Sequence, residues 1–323
     1  MTALIVLLVL LLPIGALWGM SLLAIRKVRK ANPPLMDLID VGDEQVHAYV
    51  MGADKPGTPI VLIHGASGNI RDQVTGMMAG LAKDRPVIAF DRPGFGWSSR
   101  PKGVWVDPGQ QAAQLREALI KLGYEKAIIV GHSYGGSLAL AWAVDAPQTV
   151  AGVVSLAGAV QPYPTNTATY RKLLGVPLIG GLFAHLIAPW AGPLIADKAM
   201  NGTFWPEQPP ENYAEDIGIG MLFQPTTFRF DAQDVRNLNG WLTQNAKRWR
   251  QINVPVLAIH GNRDPITGYK INSIPLVDQV AQGRFVKLPG AGHLPHHTRK
   301  AECVALISDF AADCDAHGLS QSA

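Results

Sequence analysis

Six short, largely apolar runs recur along the chain, and no feature constrains its fold more. They are Pro59–Ile63, Pro86–Phe90, Lys126–Val130, Val150–Leu156, Val254–Ile259 and Arg284–Leu288. The first three lead straight into His64-Gly65, Asp91-Arg92-Pro93-Gly94 and Gly131-His132. A strand that is apolar at successive positions has to be covered on both faces, as in a parallel sheet flanked by helices. Helical segments fall between the runs. One is Ile70–Leu81, weakened by Gly76 and Gly80. A second opens at Asp107-Pro108, an N-cap residue followed by proline at the first helical position. A third crosses Leu138–Val144, and the last spans Arg299–Cys314. Gln45–Val50 alternates loosely and reads as an edge strand. The expected architecture is α/β, with a doubly wound, mostly parallel sheet.

The rhythm breaks between residues 160 and 250, where prolines cluster and the apolar pieces Leu173–Ile187, Ala191–Met200 and Ile217–Phe223 follow no strand pattern. This stretch reads as a helical subdomain inserted between two strands. The expected organisation is residues 1–30 as an anchor with a basic flank, 31–39 as a linker, 40–159 and 251–323 as the two parts of the core, and 160–250 as the insert.

Residues 2–25 carry no charged side chain. Arg26, Lys27, Arg29 and Lys30 follow, and no acidic residue precedes Asp37. As a helix, this stretch would reach about 36 Å against a hydrocarbon core of about 30 Å. It reads as an N-terminal transmembrane helix, with a cleaved signal peptide and a buried core helix as competing readings. A signal peptide calls for positive charge ahead of the apolar run, where Met1-Thr2 offer only the α-amino group. A core helix so uniformly apolar is uncommon. Basic residues on the C-terminal side place the rest of the chain in the cytoplasm. Pro33-Pro34 prevents the helix from continuing.

The basic flank also accounts for the charge. The chain has 28 Lys+Arg and 25 Asp+Glu, a formal +3, but four of those bases lie in the flank, leaving 24 against 25 elsewhere. Charge this dilute argues against a nucleic-acid partner. A hydrophobic content of 48% excludes a disordered chain. Cys303 and Cys314 are too few for a disulfide framework, and eleven positions apart on one expected helix they cannot pair. They read as buried thiols.

Gly131-His132-Ser133-Tyr134-Gly135 fits G-x-S-x-G between a strand and a helix. Such a turn projects the serine hydroxyl from the strand end, and its glycines admit the neighbouring backbone. A serine hydroxyl needs a base to become a nucleophile. His293, in Gly290-Ala291-Gly292-His293 after the last strand, stands at the same sheet edge; His296 and His297 are close rivals. Asp264, just past the fifth run in His260-Gly261-Asn262-Arg263-Asp264, is placed to orient that base, and the order Ser133…Asp264…His293 agrees. Two main-chain N–H groups should face a developing oxyanion: that of Tyr134, and that of Ala66 in the loop after the first run.

With these residues in place, the sequence resembles the α/β-hydrolase-fold serine hydrolases, the group of esterases, lipases and meta-cleavage-product hydrolases, over about residues 40–315. His64-Gly65, Asp91–Gly96, Gly131–Gly136, His260–Asp264 and Gly290–His293 carry the resemblance, in the family's order. It implies a cap over the active site for residues 160–250, no cofactor, no metal, and an acyl-enzyme on Ser133. Relatives that form alkyl esters, the haloalkane dehalogenases and epoxide hydrolases, carry aspartate at the serine position. An apolar lid, with aromatics such as Phe183, Trp190, Phe204 and Trp241, suits a small hydrophobic ester. The membrane enters as a partner through residues 2–25. Three alternatives stand beside the ester. One is C–C hydrolysis, for which Arg171, Lys172 or Arg229 would seat an acid. Another is lactone, amide or perhydrolase chemistry on the same residues. The third is a non-catalytic binding protein.

Overall fold

Eight strands make up the sheet of the computed structural model, which describes residues 2–102, 106–163 and 177–321. They are β1 (Leu38–Val41), β2 (Glu44–Met51), β3 (Ile60–Ile63), β4 (Val87–Phe90), β5 (Ala127–His132), β6 (Val150–Leu156), β7 (Val256–Gly261) and β8 (Gly283–Leu288). Their order across the sheet is β1-β2-β4-β3-β5-β6-β7-β8. β2 is antiparallel to both its neighbours, and every pairing from β4 through β8 is parallel. The six apolar runs are thus strands of a mostly parallel sheet, as their composition requires. Gln45–Val50 is not at the edge: β1 covers it, and β1 begins at Leu38, inside the stretch read as a linker.

Alternate residues of each run feed two separate cores, which is why the runs are apolar throughout. In β3, Ile60 and Leu62 pack with Met77, Leu81 and Phe310 on one face. Val61 and Ile63 pack with Leu115, Leu138 and Trp142 on the other. β5 repeats the pattern, with Ile128 and Val130 on the first face and Ile129 on the second.

The helices largely follow the expected starts. Asp107 caps Pro108–Lys121, accepting from the Gln110 N–H at 2.8 Å while its own N–H donates to Gln110 Oε1 at 3.1 Å. Residues 70–81 do not form one continuous helix. Ile70–Gln73 and Ala79–Leu81 flank a π turn at Val74–Met78, which brings Gly76 against the His296 ring. The final helix runs past Cys314 to Gln321, and both cysteines are buried in it.

Between β6 and β7 the described residues form helices Pro177–Leu186, Ala188–Phe204, Tyr213–Asp216 and Pro225–Asn245, 3-10 turns at Ile219–Phe223 and Ala246–Gln251, and no strand. Part of the insert, including Arg171 and Lys172, lies outside the described residues.

The N-terminal helix covers Thr2–Ala31, and Leu11–Ala31 is long and apolar enough to cross a membrane. Its C-terminal end is fixed to the body. Arg29 Nε donates to Gln224 Oε1 at 2.8 Å, its guanidinium lies 4.7 Å from the Trp97 ring, and Trp97 Nε1 donates to the Asn32 carbonyl at 2.9 Å.

Candidate active site

The chain runs from β3 outward to β4 and then returns to place β5 on the other side of β3. A crevice opens at the C-terminal ends of strands where the order reverses in this way, and the site lies there. Ser133 follows β5 with φ 52° and ψ −116°, a left-handed backbone that is strained for a residue with a β-carbon. The turn closes so tightly that a β-carbon on Gly131 would collide with the Gly135 carbonyl, and one on Gly135 with the Ile63 carbonyl. Glycine at both positions is what lets β5 and the helix Tyr134–Asp145 meet at the serine.

His293 reaches Ser133 from the loop after β8. Its Nε2 lies 3.0 Å from Ser133 Oγ, and its Nδ1 2.7 Å from Asp264 Oδ2. Asp264, from the loop after β7, also accepts from the main chain of Ile266 at 2.7 Å and from the Thr267 hydroxyl at 2.8 Å. Burial alone would raise the Asp264 carboxyl. The charge of His293 and hydrogen bonds from His260 and His293 outweigh burial and hold it well below the usual carboxylate range. The three groups form one hydrogen-bonded chain, with every side chain at least nine-tenths buried.

The rivals of His293 are occupied elsewhere. His296 Nε2 and His297 Nε2 hold the two oxygens of buried Asp72 at 3.0 and 2.8 Å, and the Tyr213 hydroxyl donates to the same carboxylate at 2.9 Å. His132 turns away from the serine and puts its Nε2 2.9 Å from the His293 carbonyl, supporting the loop from behind. His64 binds its own loop at Gly65 and receives the Arg92 N–H at 2.9 Å. His260 has a role that its strand-end position alone did not announce. Its Nε2 shares Asp264 with His293 at 2.9 Å, and its Nδ1 meets Ser273 Oγ at 2.7 Å.

The loop after β3 lies against the serine, since a β-carbon on Gly65 would stand 2.9 Å from Ser133 Cβ. It carries Ala66, and Tyr134 opens the helix on the far side of Ser133, where first-turn N–H groups have no partner within their own helix. Ser67, with φ 58°, is held from the insert: Asp231 on the helix Pro225–Asn245 accepts from its N–H at 2.6 Å and its hydroxyl at 2.9 Å. One turn further on, Asp234 binds Arg92 at 3.1 Å and Arg100 at 2.9 Å, all three fully buried. Burial raises the Asp234 carboxyl, and the two guanidinium groups pull it back. Arg92 is sandwiched 4.2 Å from both the Phe95 and Tyr134 rings. Sequence reasoning found neither aspartate. Arg229, on the same helix, is exposed.

Four buried imidazoles give the fold a defined acid sensitivity. Burial, first among the causes, lowers His132, His260 and His296, and lowers His64 to about 4. An unfolded histidine takes up a proton near pH 6.5, which the folded one refuses until lower pH. Stability is therefore whole above about 6.5 and lost as pH falls below it, by up to about 1.4 kcal/mol per pH unit for each group. Melting temperature measured from about pH 7.5 down to about 5 should fall steadily below about 6.5. A flat profile contradicts the buried neutral state.

A buried serine, an imidazole in reach of it and a carboxylate behind the imidazole can together move a proton off the hydroxyl during attack on a carbonyl. Comparisons with known proteins bear on the family. A family model described as the alpha/beta hydrolase fold matches residues 58–300. A 2-hydroxymuconate semialdehyde hydrolase of Pseudomonas sp. (strain CF600) is 29% identical over 276 residues, covering 82% of this chain and 90% of that protein. Among solved structures, a meta-cleavage product hydrolase superposes with a TM-score of 0.71 at 18% identity, over 87% of this chain and all of the other. A membrane phospholipase A, described as a bacterial virulence factor, superposes with a TM-score of 0.69 at 22% identity, over 97% of this chain and 99% of the other. At these identities the two structures establish the fold alone.

Proposed function

The chain belongs to the α/β-hydrolase fold family and is a hydrolase of that superfamily, and within it we propose a membrane-anchored serine esterase acting on a hydrophobic carboxylic ester. The observation that carries this reading is the unbroken path from Ser133 Oγ through His293 to Asp264, at 3.0 and 2.7 Å. His293 takes the hydroxyl proton as Ser133 attacks the ester carbonyl, and Asp264 stabilises the imidazolium that results. The N–H groups of Tyr134 and Ala66 receive the oxyanion. His293 then hands its proton to the departing alcohol, and water releases the acyl group by the same steps in reverse.

The uncharged helix ahead of Arg26 supports anchoring at a membrane, with the basic flank and hydrolase on the cytoplasmic side. The apolar character of the insert, with the uncharged run 173–196, favours an apolar acyl group. A second reading, C–C bond hydrolysis by the same residues, is favoured by the semialdehyde hydrolase relative. A p-nitrophenyl ester series of increasing acyl length, run on the full chain beside a fluorophosphonate probe, separates the readings. Turnover that rises with acyl length and a probe adduct on Ser133 are expected. Labelling of Ser133 without turnover of any ester moves the C–C reading ahead, and neither turnover nor labelling defeats the mechanism.

Asp231 bears on rate through Ser67 and the loop that carries Ala66. Asp231→Asn weakens charge-assisted hydrogen bonds of about 1.5–3 kcal/mol, so kcat is expected to fall about 10- to 100-fold with KM little changed. Unchanged kcat would remove Asp231 from the positioning of the oxyanion site.

A further inference from the structure

The N-terminal helix does not stand clear of the body. Helices Pro177–Leu186 and Ala188–Phe204 and the turn Ile219–Phe223 pack along it. Leu17, Ser21, Ala24 and Val28 are covered wholly or in part, while Met20, Leu22 and Leu23 stay open. Trp18 stacks on His185 at 5.5 Å, and Val28 sits against Gly220. The part of the helix ahead of this docked face, Thr2–Ala16, is only about 22 Å long, short of the roughly 30 Å of hydrocarbon to be crossed. A helix that spans with Arg26 at its boundary therefore has to draw the flank beside Trp18 into the bilayer with it.

That flank has the chemistry for it. Residues 173–196 contain no Asp, Glu, Lys or Arg, a second uncharged run as long as 2–25. Among its described residues, Leu194 is 78% exposed, Ile195 68% and Leu182 55%, exposure unusual for large aliphatic side chains in water. The rings of His185 and Trp190 each bond a main-chain carbonyl four residues back. His185 Nδ1 lies 2.8 Å from the Gly181 carbonyl, and Trp190 Nε1 donates to that of Leu186 at 2.6 Å. The helix bearing Leu194 and Ile195 ends with the carbonyls of Phe204 and Trp205 against Gly292, beside His293, so the flank and the site share one element.

The geometry points to a membrane-embedded cap: the flank formed by residues 177–196 lies in the bilayer beside the N-terminal helix, its occupant the acyl chains of lipid. The inference rests on the anchor proposed above and extends it from one helix to three. A second copy of this chain would also cover an apolar face, but it would not require the two uncharged runs to lie side by side.

The test uses the full chain in phosphatidylcholine–phosphatidylglycerol vesicles. Leu194→Cys and Leu182→Cys carry an NBD fluorophore, with Ile120→Cys on the core helix Pro108–Lys121 as reference. Native Cys303 and Cys314 stay unlabelled at neutral pH, because burial pushes both thiols up to about 12. Blue-shifted emission at 194 and 182, quenched roughly twofold or more by lipids with doxyl-labelled acyl chains, is expected for a face seated about 5–10 Å below the headgroups. Position 120 should show neither effect. Emission at 194 as wet as at 120 overturns the embedded cap, and so does dry emission that lipid quenchers leave untouched, which would mark a protein partner. A carbonate wash separates the two levels: release of the chain from the vesicles overturns anchor and cap together, whereas retention with a wet position 194 overturns the cap alone.

Discussion

Ser133→Ala is expected to lower kcat toward any ester substrate by about a millionfold and to abolish labelling by a fluorophosphonate. The size follows from the proposed role of the residue as nucleophile. His293 and the oxyanion donors remain in place, but no nucleophile is left to form the acyl-enzyme, and only the modest acceleration due to binding and polarisation survives. The fold should be untouched, because the hydroxyl contributes one hydrogen bond, to His293 Nε2, and the β-carbon is retained. A companion substitution separates chemistry from strain. At φ 52° a residue with a β-carbon is held in a region that glycine enters freely. Ser133→Gly should be as inactive as the alanine variant yet more stable than it, by about 1 kcal/mol in urea unfolding. Residual turnover above about one part in a thousand in either variant would place the nucleophile elsewhere.

Asp234→Ala is expected to cost about 3–5 kcal/mol of folding stability, the largest loss anticipated for any single side chain here. Asp234 is the counter-charge for Arg92 and Arg100, none of the three reaches solvent, and it also accepts from Gln111 Nε2 at 3.2 Å. Its removal strands two guanidinium groups in a site where Arg92 Nε and Nη2 already have only aromatic faces as partners. For a domain whose total stability is about 5–15 kcal/mol, much of the margin disappears. Urea unfolding of Asp234→Ala beside Asp231→Asn measures it. A loss below about 1 kcal/mol would mean that water or relaxation already compensates the charge.

What the sequence made legible was local. A strand covered on both faces leaves a continuous apolar run, a tight strand-to-helix turn requires glycines at fixed offsets, and a capped helix begins Asp-Pro. The neighbourhood of Ser133, Asp264 and His293 was accordingly readable from strand ends alone. β1 escaped because Leu38-Ile39-Asp40-Val41 is too short and mixed to show a period. With β1 unseen, the looser alternation of β2 looked like an edge. The π turn at Val74–Met78 escaped because the group it packs against, the His296 ring beside Gly76, lies 220 residues away in the chain. Asp231 and Asp234 escaped for the same reason. Their partners Ser67, Arg92 and Arg100 are more than a hundred residues upstream, and a polar pair across that distance leaves no periodicity. His260 stood in a motif the resemblance singled out, yet only the fold brings its ring to Asp264.

The helix Pro225–Asn245 grips the part of the molecule that carries Ser133 at two points one turn apart, through Asp231 to the loop of Ala66 and through Asp234 to the buried arginines. Modularity is what this arrangement gives up. A chimaera that imports the cap of a relative to change substrate range would bring in a foreign surface and remove the tether of Ser67 and the neutraliser of Arg92 in the same cut. Substrate range in this scaffold is therefore better explored at Pro177–Phe204, leaving Pro225–Asn245 as part of the engine block.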